Sequence, residues 1–169
     1  AGTGEIVALL DGAAPLHLHR HVLRAGDTLA IGPSPIDMLG YVWRGRVDAG
    51  GVALPAGSSV ITEHGGAIAL AAGDEGATVL VFAAAQPAGQ RAGGHVHLLP
   101  AASVPRNPDL GSPGVGGAMH ADADCPTCAL WLHENHFSGL PAMTPEIQAR
   151  GIHSHSEDEI IFVTGGQIR

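Results

Sequence analysis

Apolar residues in this chain come in short runs that alternate with polar ones, the period-two spacing at which successive side chains point to opposite faces of a strand. Leu16-His-Leu-His-Arg-His-Val-Leu23 alternates strictly, which places His17, His19 and His21 on one face and Leu16, Leu18 and Val22 on the other. With Arg24-Ala-Gly26-Asp27 as the turn behind it, this run reads as a strand whose histidine face is polar and outward. Further runs follow at 38–47, 50–61, 67–70 and 77–82, then at 95–99, 130–137 and 160–163. Glycine and proline punctuate them, 25 Gly and 12 Pro in all, so many short strands joined by turns are expected. The predicted class is all-β, a sandwich or barrel with little helix. No apolar run approaches the roughly 20 residues that a membrane-spanning helix needs.

Composition narrows the partners. The 169 residues suffice for one large domain, or one and part of a second, with a real core. Hydrophobic residues make up 45% and charged ones 14%, the balance of a folded chain. Sixteen acidic residues against 8 basic ones leave a net charge of −8. A phosphate backbone calls for a basic patch, so nucleic acid is not an expected partner, and neither is a membrane. Cys125 and Cys128 lie too close together for a disulfide framework, and no basic start with an apolar core precedes residue 10. A reducing, cytoplasmic location is expected.

The sharpest chemistry lies in Gly151-Ile-His-Ser-His-Ser-Glu-Asp-Glu-Ile-Ile-Phe-Val-Thr-Gly-Gly166. On an uninterrupted strand His153, His155, Glu157 and Glu159 share one face, and Ile152, Asp158 and Ile160 take the other. Two imidazoles and at least one carboxylate then converge, a donor set that suits divalent iron, manganese, nickel or zinc. An exposed polar strand edge is the plainer explanation, but the buried-type run at 160–163 weighs against it.

The spacing His-x-His-x3-Glu-x6-Gly resembles the first signature motif of the cupin superfamily. That resemblance implies jelly-roll β-barrels, with His153, His155 and Glu159 as metal ligands, Gly166 as the hairpin turn and Glu157 in the variable gap. It also implies a fourth ligand, a His in a second motif of the form Pro-x-Gly-x2-His, which does not occur before Arg169. The sequence is therefore expected to be a fragment of a longer protein.

An internal repeat extends the resemblance. At an offset of 121, Gly45-Arg-Val47 falls on Gly166-Gln-Ile168 and Tyr41-Val-Trp43 on Phe162-Val-Thr164. Gly32, Ser34 and Met38 then stand where ligands would, and Pro55-Ala-Gly57 leads to Val60 where the second motif has its His. The expected organisation is a bicupin: residues 1–88 a degenerate, metal-free barrel, 89–125 a Gly/Pro-rich connection, and 126–169 the start of a second, metal-binding barrel. The strand at 95–99 could lie along the edge of either. A degenerate barrel and an apolar open edge at 159–168 predict a homodimer.

Between the barrels, Cys125-x2-Cys128 sits between His120 and His133, ligand types that could close a structural zinc site. Two inert cysteines at the start of a buried strand explain the same letters. In cupins a strand such as 130–137 lines the pocket beside the ion. Trp131, His133, Asn135 and Phe137 share one parity, Leu132, Glu134 and His136 the other, and alternation leaves open which set faces in. Beyond the ligands His136, Glu134 and His133 are the candidate acids and bases, with His136 and Glu134 expected as the catalytic pair. The resemblance implies a metal-dependent small-molecule enzyme of dioxygenase, isomerase or decarboxylase type; the alternative is a non-catalytic metal- or ligand-binding cupin, a sensor or storage module.

Overall fold

The computed structural model describes residues 5–10, 16–84, 93–108, 115–121, 130–137 and 159–166. Among them every regular element is a strand and none is a helix, as the period-two pattern requires. Strands β1 (Glu5–Leu10), β2 (Leu16–Leu23), β3 (Thr28–Ile31) and β4 (Met38–Ala49) are followed by β5 (Val52–Pro55), β6 (Ser59–Thr62) and the long β7 (Ile68–Ala84). β8 (Val96–Leu99), β9 (Arg106–Asn107), β10 (Val115–Ala121) and β11 (Leu132–Phe137) come after. The first eight form one sheet in the order β1-β2-β7-β4-β6-β8, with β3 on β7 and β5 on β4. β9, β10 and β11 form a second sheet in the order β11-β10-β9.

β7 organises the large sheet because it pairs in turn with β2, β3 and β4, antiparallel throughout. Residues opposite each other on paired strands share a face, so the register sorts the apolar side chains. Val42 faces Val79, and both join Ile31, Val47, Leu54, Val60, Leu70 and Val81 in one core cluster. Leu39 faces Phe82 and Tyr41 faces Leu80, in a second cluster with Leu18 and Ile61. Ala121, Leu130 and Leu132 of the small-sheet region, with Ile160 and Phe162, pack onto this second cluster. Both faces of the large sheet are thus covered.

That coverage overturns the expected polar outer face of β2. His17, His19 and His21 stand opposite Ala83, Val81 and Val79, on the face of the first cluster, and are half-buried. Leu18 is buried on the other face, beneath the second sheet. Burial lowers the pKa of His21 below the ordinary value, and His19 beside it adds to the effect.

The strand expected near 95–99 joins the large sheet as β8, which pairs with β6. Glu63, just beyond β6, fastens it: its fully buried carboxylate meets His95 Nδ1 at 2.6 Å and His97 Nε2 at 2.8 Å. Such a charge is tolerable in the interior only because both oxygens are taken. Among the described residues no helix is long and apolar enough to cross a membrane.

Gly45, aligned by the repeat with the hairpin glycine Gly166, does not end its strand. β4 continues to Ala49, and the register of β4 with β7 shifts between Gly45 and Val47. The β4–β5 turn lies instead at Gly50-Gly51. Gly45 has φ 73°, and a methyl there would run into the carbonyl oxygen of Gly76. Gly50, at φ 62°, has open space around its Cβ position. Gly50→Ala should therefore cost only the backbone penalty, about 1–2 kcal/mol. Gly45→Ala should cost about 1–3 kcal/mol more from overpacking, and equal losses in urea unfolding would contradict this account of the bulge.

Candidate active site

The register of the small sheet places its polar residues. Arg106 on β9 and Glu134 on β11 both stand opposite Ala118 of β10, so the three form one row on one face. Two residues along, His136 stands opposite Gly116 on that same face. The register of β10 with β11 slips between Met119 and Ala121, at His120. Leu132 and Glu134 are half-buried while Trp131, His133, Asn135 and Phe137 are exposed, so the parity of Glu134 faces the large sheet. Second-sheet apolar contacts choose that parity: Leu132 packs on the second core cluster.

Three side chains converge on the Glu134 carboxylate. Tyr41 Oη donates to Oε1 at 2.8 Å, His120 Nε2 lies 3.0 Å from the same oxygen, and His136 Nε2 lies 2.8 Å from Oε2. An ionised carboxylate only accepts, so each imidazole presents an N–H to it. His120 Nδ1 is then free to accept from Ser59 Oγ at 2.9 Å, which uses both of its ring nitrogens. The Tyr41 ring meets His120 edge-on at 5.6 Å, closing the inner side of the cluster.

These contacts set the charges. The bond from His120, aided by those from Tyr41 and His136, outweighs burial and pulls the Glu134 carboxyl down to about 2. Burial, then the bond to Glu134 and its charge, push the Tyr41 phenol well above its ordinary value, and the positive charge of Arg106 works against that rise. The result is a carboxylate held as an anion by three donors.

Ser59, His120 and Glu134 stand in the order of a nucleophile relay, but Ser59 is 0% exposed and no substrate can reach its oxygen. Ser59 holds His120. At the other end the cluster is open: the His136 side chain is 54% exposed and lines a groove of about 290 Å³ with Arg106, Asn107, Pro108, Gly116 and Gly117. The arrangement can hold an imidazole by one nitrogen and let the other exchange protons with a molecule in the groove.

The structure brings His136 and Glu134 into direct contact and leaves His133 exposed on the far face. Of the expected metal ligands, His153 and His155 lie outside the described residues, and Glu159 is exposed beside the packed Ile160. Among the described residues no three His, Cys, Asp or Glu side chains are placed to hold a metal ion. Cys125 and Cys128 lie outside the described residues, and His120 is committed to Ser59 and Glu134. Tyr41, Ser59 and Arg106 are additions that no local pattern pointed to; Tyr41 lies 93 residues from its partner.

Because Glu134 titrates below its unfolded value of 4.5, its contribution is present above about pH 4.5 and lost as pH falls through about 2. Glu134→Gln should be less stable at pH 7 by on the order of 2 kcal/mol, and its unfolding curve should converge with that of the parent as pH approaches 2. A gap that is independent of pH would mean the carboxylate is not held ionised by its partners.

No known protein family's profile matches the chain, and no curated protein matches it in sequence. Solved structures match it in fold. A protein named for glyoxylate induction from Pseudomonas aeruginosa aligns with TM-score 0.51 and 11% identity over 69% of this chain and 48% of its own. Protein Ylba from E. coli aligns at 0.49 and 15%, over 74% and 57%, and a cupin 2 conserved barrel domain protein from Leptotrichia buccalis at 0.38 and 7%, over 70% and 58%. The chain thus spans about half the length of these proteins. At such identities the likeness is one of fold alone, carried by the Pseudomonas structure, and it agrees with an all-β antiparallel architecture.

Proposed function

We propose that this chain is part of a cupin-type small-molecule enzyme in which His136 transfers a proton to or from a substrate in the groove beside it. The observation that carries this is the Glu134 carboxylate, bonded to His136 Nε2 at 2.8 Å and pulled down to a pKa of about 2 by its three donors. Glu134 orients the ring, keeps the proton on Nε2 and leaves Nδ1 to exchange with substrate; when the ring takes a second proton, the adjacent anion stabilises the cation. Tyr41 and His120 keep Glu134 from rotating, so the pair is set before substrate arrives.

The same proposal includes the two-barrel organisation, a metal-free first barrel and a second that begins near residue 126. Its support is the way the repeat meets itself. Trp43 Nε1 donates to the carbonyl oxygen of Thr164, the residue 121 positions on with which it aligns, and the Trp43 ring packs edge-on against Phe162 at 5.3 Å. Equivalent residues touch each other close to an axis of two-fold or pseudo-two-fold symmetry. A divalent ion on His153, His155 and Glu159 completes the proposal; bound there it would supply polarisation of a substrate oxygen. The support for it is the spacing of those residues.

Incubation with a panel of small hydroxy and oxo compounds in deuterium oxide, followed by NMR, should reveal turnover or exchange at carbon. His136→Gln should lower it by roughly 10²–10⁴-fold. Equal rates in parent and variant would remove His136 from the reaction, and binding without turnover in the parent would make this a ligand-binding module. Metal per chain after dialysis against a weak chelator should vanish in His153→Ala and His155→Ala and persist in His19→Ala; the reverse pattern would move the ion to the first barrel.

A further inference from the structure

We propose that the groove takes a small monocarboxylate, held by its carboxyl group on the guanidinium of Arg106. This rests on the proton-transfer reading of the Glu134–His136 pair and adds the substrate class.

Four observations carry it. Arg106 and His136 line one groove, and the strand register explains why, since Arg106 shares a row with Glu134 and His136 lies one step further on the same face. The floor is Gly116-Gly117, backbone without side chains. Glycine inside a strand gives up packing and about 0.5–1 kcal/mol each, and marks a place where something approaches closely. For Gly116 part of that something is internal, since a Cβ would lie 3.1 Å from the carbonyl oxygens of Asn107 and Pro108. The result is still a bare strip beside Arg106 and His136.

Charge then selects the ligand. The side-chain bonds of Glu134 go to Tyr41, His120 and His136, and none of them involves Arg106. Arg106 is the one guanidinium among the described residues of the groove, in a chain whose net charge is −8 and which contains no lysine. A single guanidinium matches a single carboxylate, with two parallel N–H bonds in its plane. A phosphate dianion would ask for a second guanidinium, which the described lining does not provide. The groove, about 290 Å³ and open to solvent, has room for a small acid.

Calorimetric titration of the full chain with glycolate, its uncharged amide glycolamide and inorganic phosphate tests this without any turnover. Glycolate should bind saturably, at least 10-fold tighter than glycolamide and tighter than phosphate. Arg106→Gln should weaken glycolate by roughly 10- to 100-fold, the worth of a charge-assisted pair, and leave glycolamide unchanged. Arg106→Lys, which keeps the charge and loses the fork, should fall between, and it carries the test if Arg106→Gln does not fold. Glycolate should also shift the ring signals of His136 in NMR spectra of the parent. Absence of glycolate binding, equal affinity for acid and amide, tighter binding of phosphate, or parental affinity in the arginine variants would each overturn the proposal. Failure of the proton-transfer reading looks different: turnover would survive in His136→Gln while glycolate binding still depended on Arg106.

Discussion

The carboxylate of Glu134 is the tie on which the arrangement of the two sheets depends. It comes from the small sheet, yet one of its donors, Tyr41, belongs to β4 of the large one, and another, His120, is anchored on Ser59 of β6. A carboxylate placed between two apolar layers is costly unless its oxygens are occupied, and here both are. Because the anion can be satisfied only where Tyr41 and His120 meet it, the tie sets how the small sheet docks. Leu130 and Leu132 then contribute non-directional burial around a directional core.

This docking changes what each face of the large sheet means. A lone antiparallel sheet with one buried face would leave β2 a wet side, and its three histidines would sit there. The small sheet and the segment at 160–162 pack over Leu18, Leu39 and Leu80, and on the other face the histidines are half-buried opposite Val79 and Val81. Trp43 shows the same economy at the rim. Its ring packs on Phe162, its N–H reaches Thr164, and Arg44 lies over it at 4.4 Å from the ring centre.

The structural tie and the proposed chemistry are two ends of one object. Its inner end, with Ser59, His120 and Tyr41, is closed to solvent and cannot meet a substrate. Its outer end, His136 beside Arg106, is open to the groove. An acid–base group is useful only if its orientation and charge survive the arrival of a ligand, and a carboxylate already saturated by buried donors has no reason to move.

Strand alternation alone determined a good deal. A side-chain period of two made the all-β class, most strand positions and the shared parity of Glu134 and His136 readable from residue order, because that period is a property of the local backbone. The spacing of His153, His155 and Glu159 is likewise local, although two of the three lie outside the described residues. Which parity of β11 turns inward, which face of β2 is covered, and that Gly45 marks a bulge and not a turn are matters of what packs against what, and alternation carries no such information. The contacts that make the site, Tyr41 to Glu134 across 93 residues and Ser59 to His120 across 61, join positions with no common local pattern. Only the tertiary structure decided them, since a buried charge finds its partners through space and not along the chain.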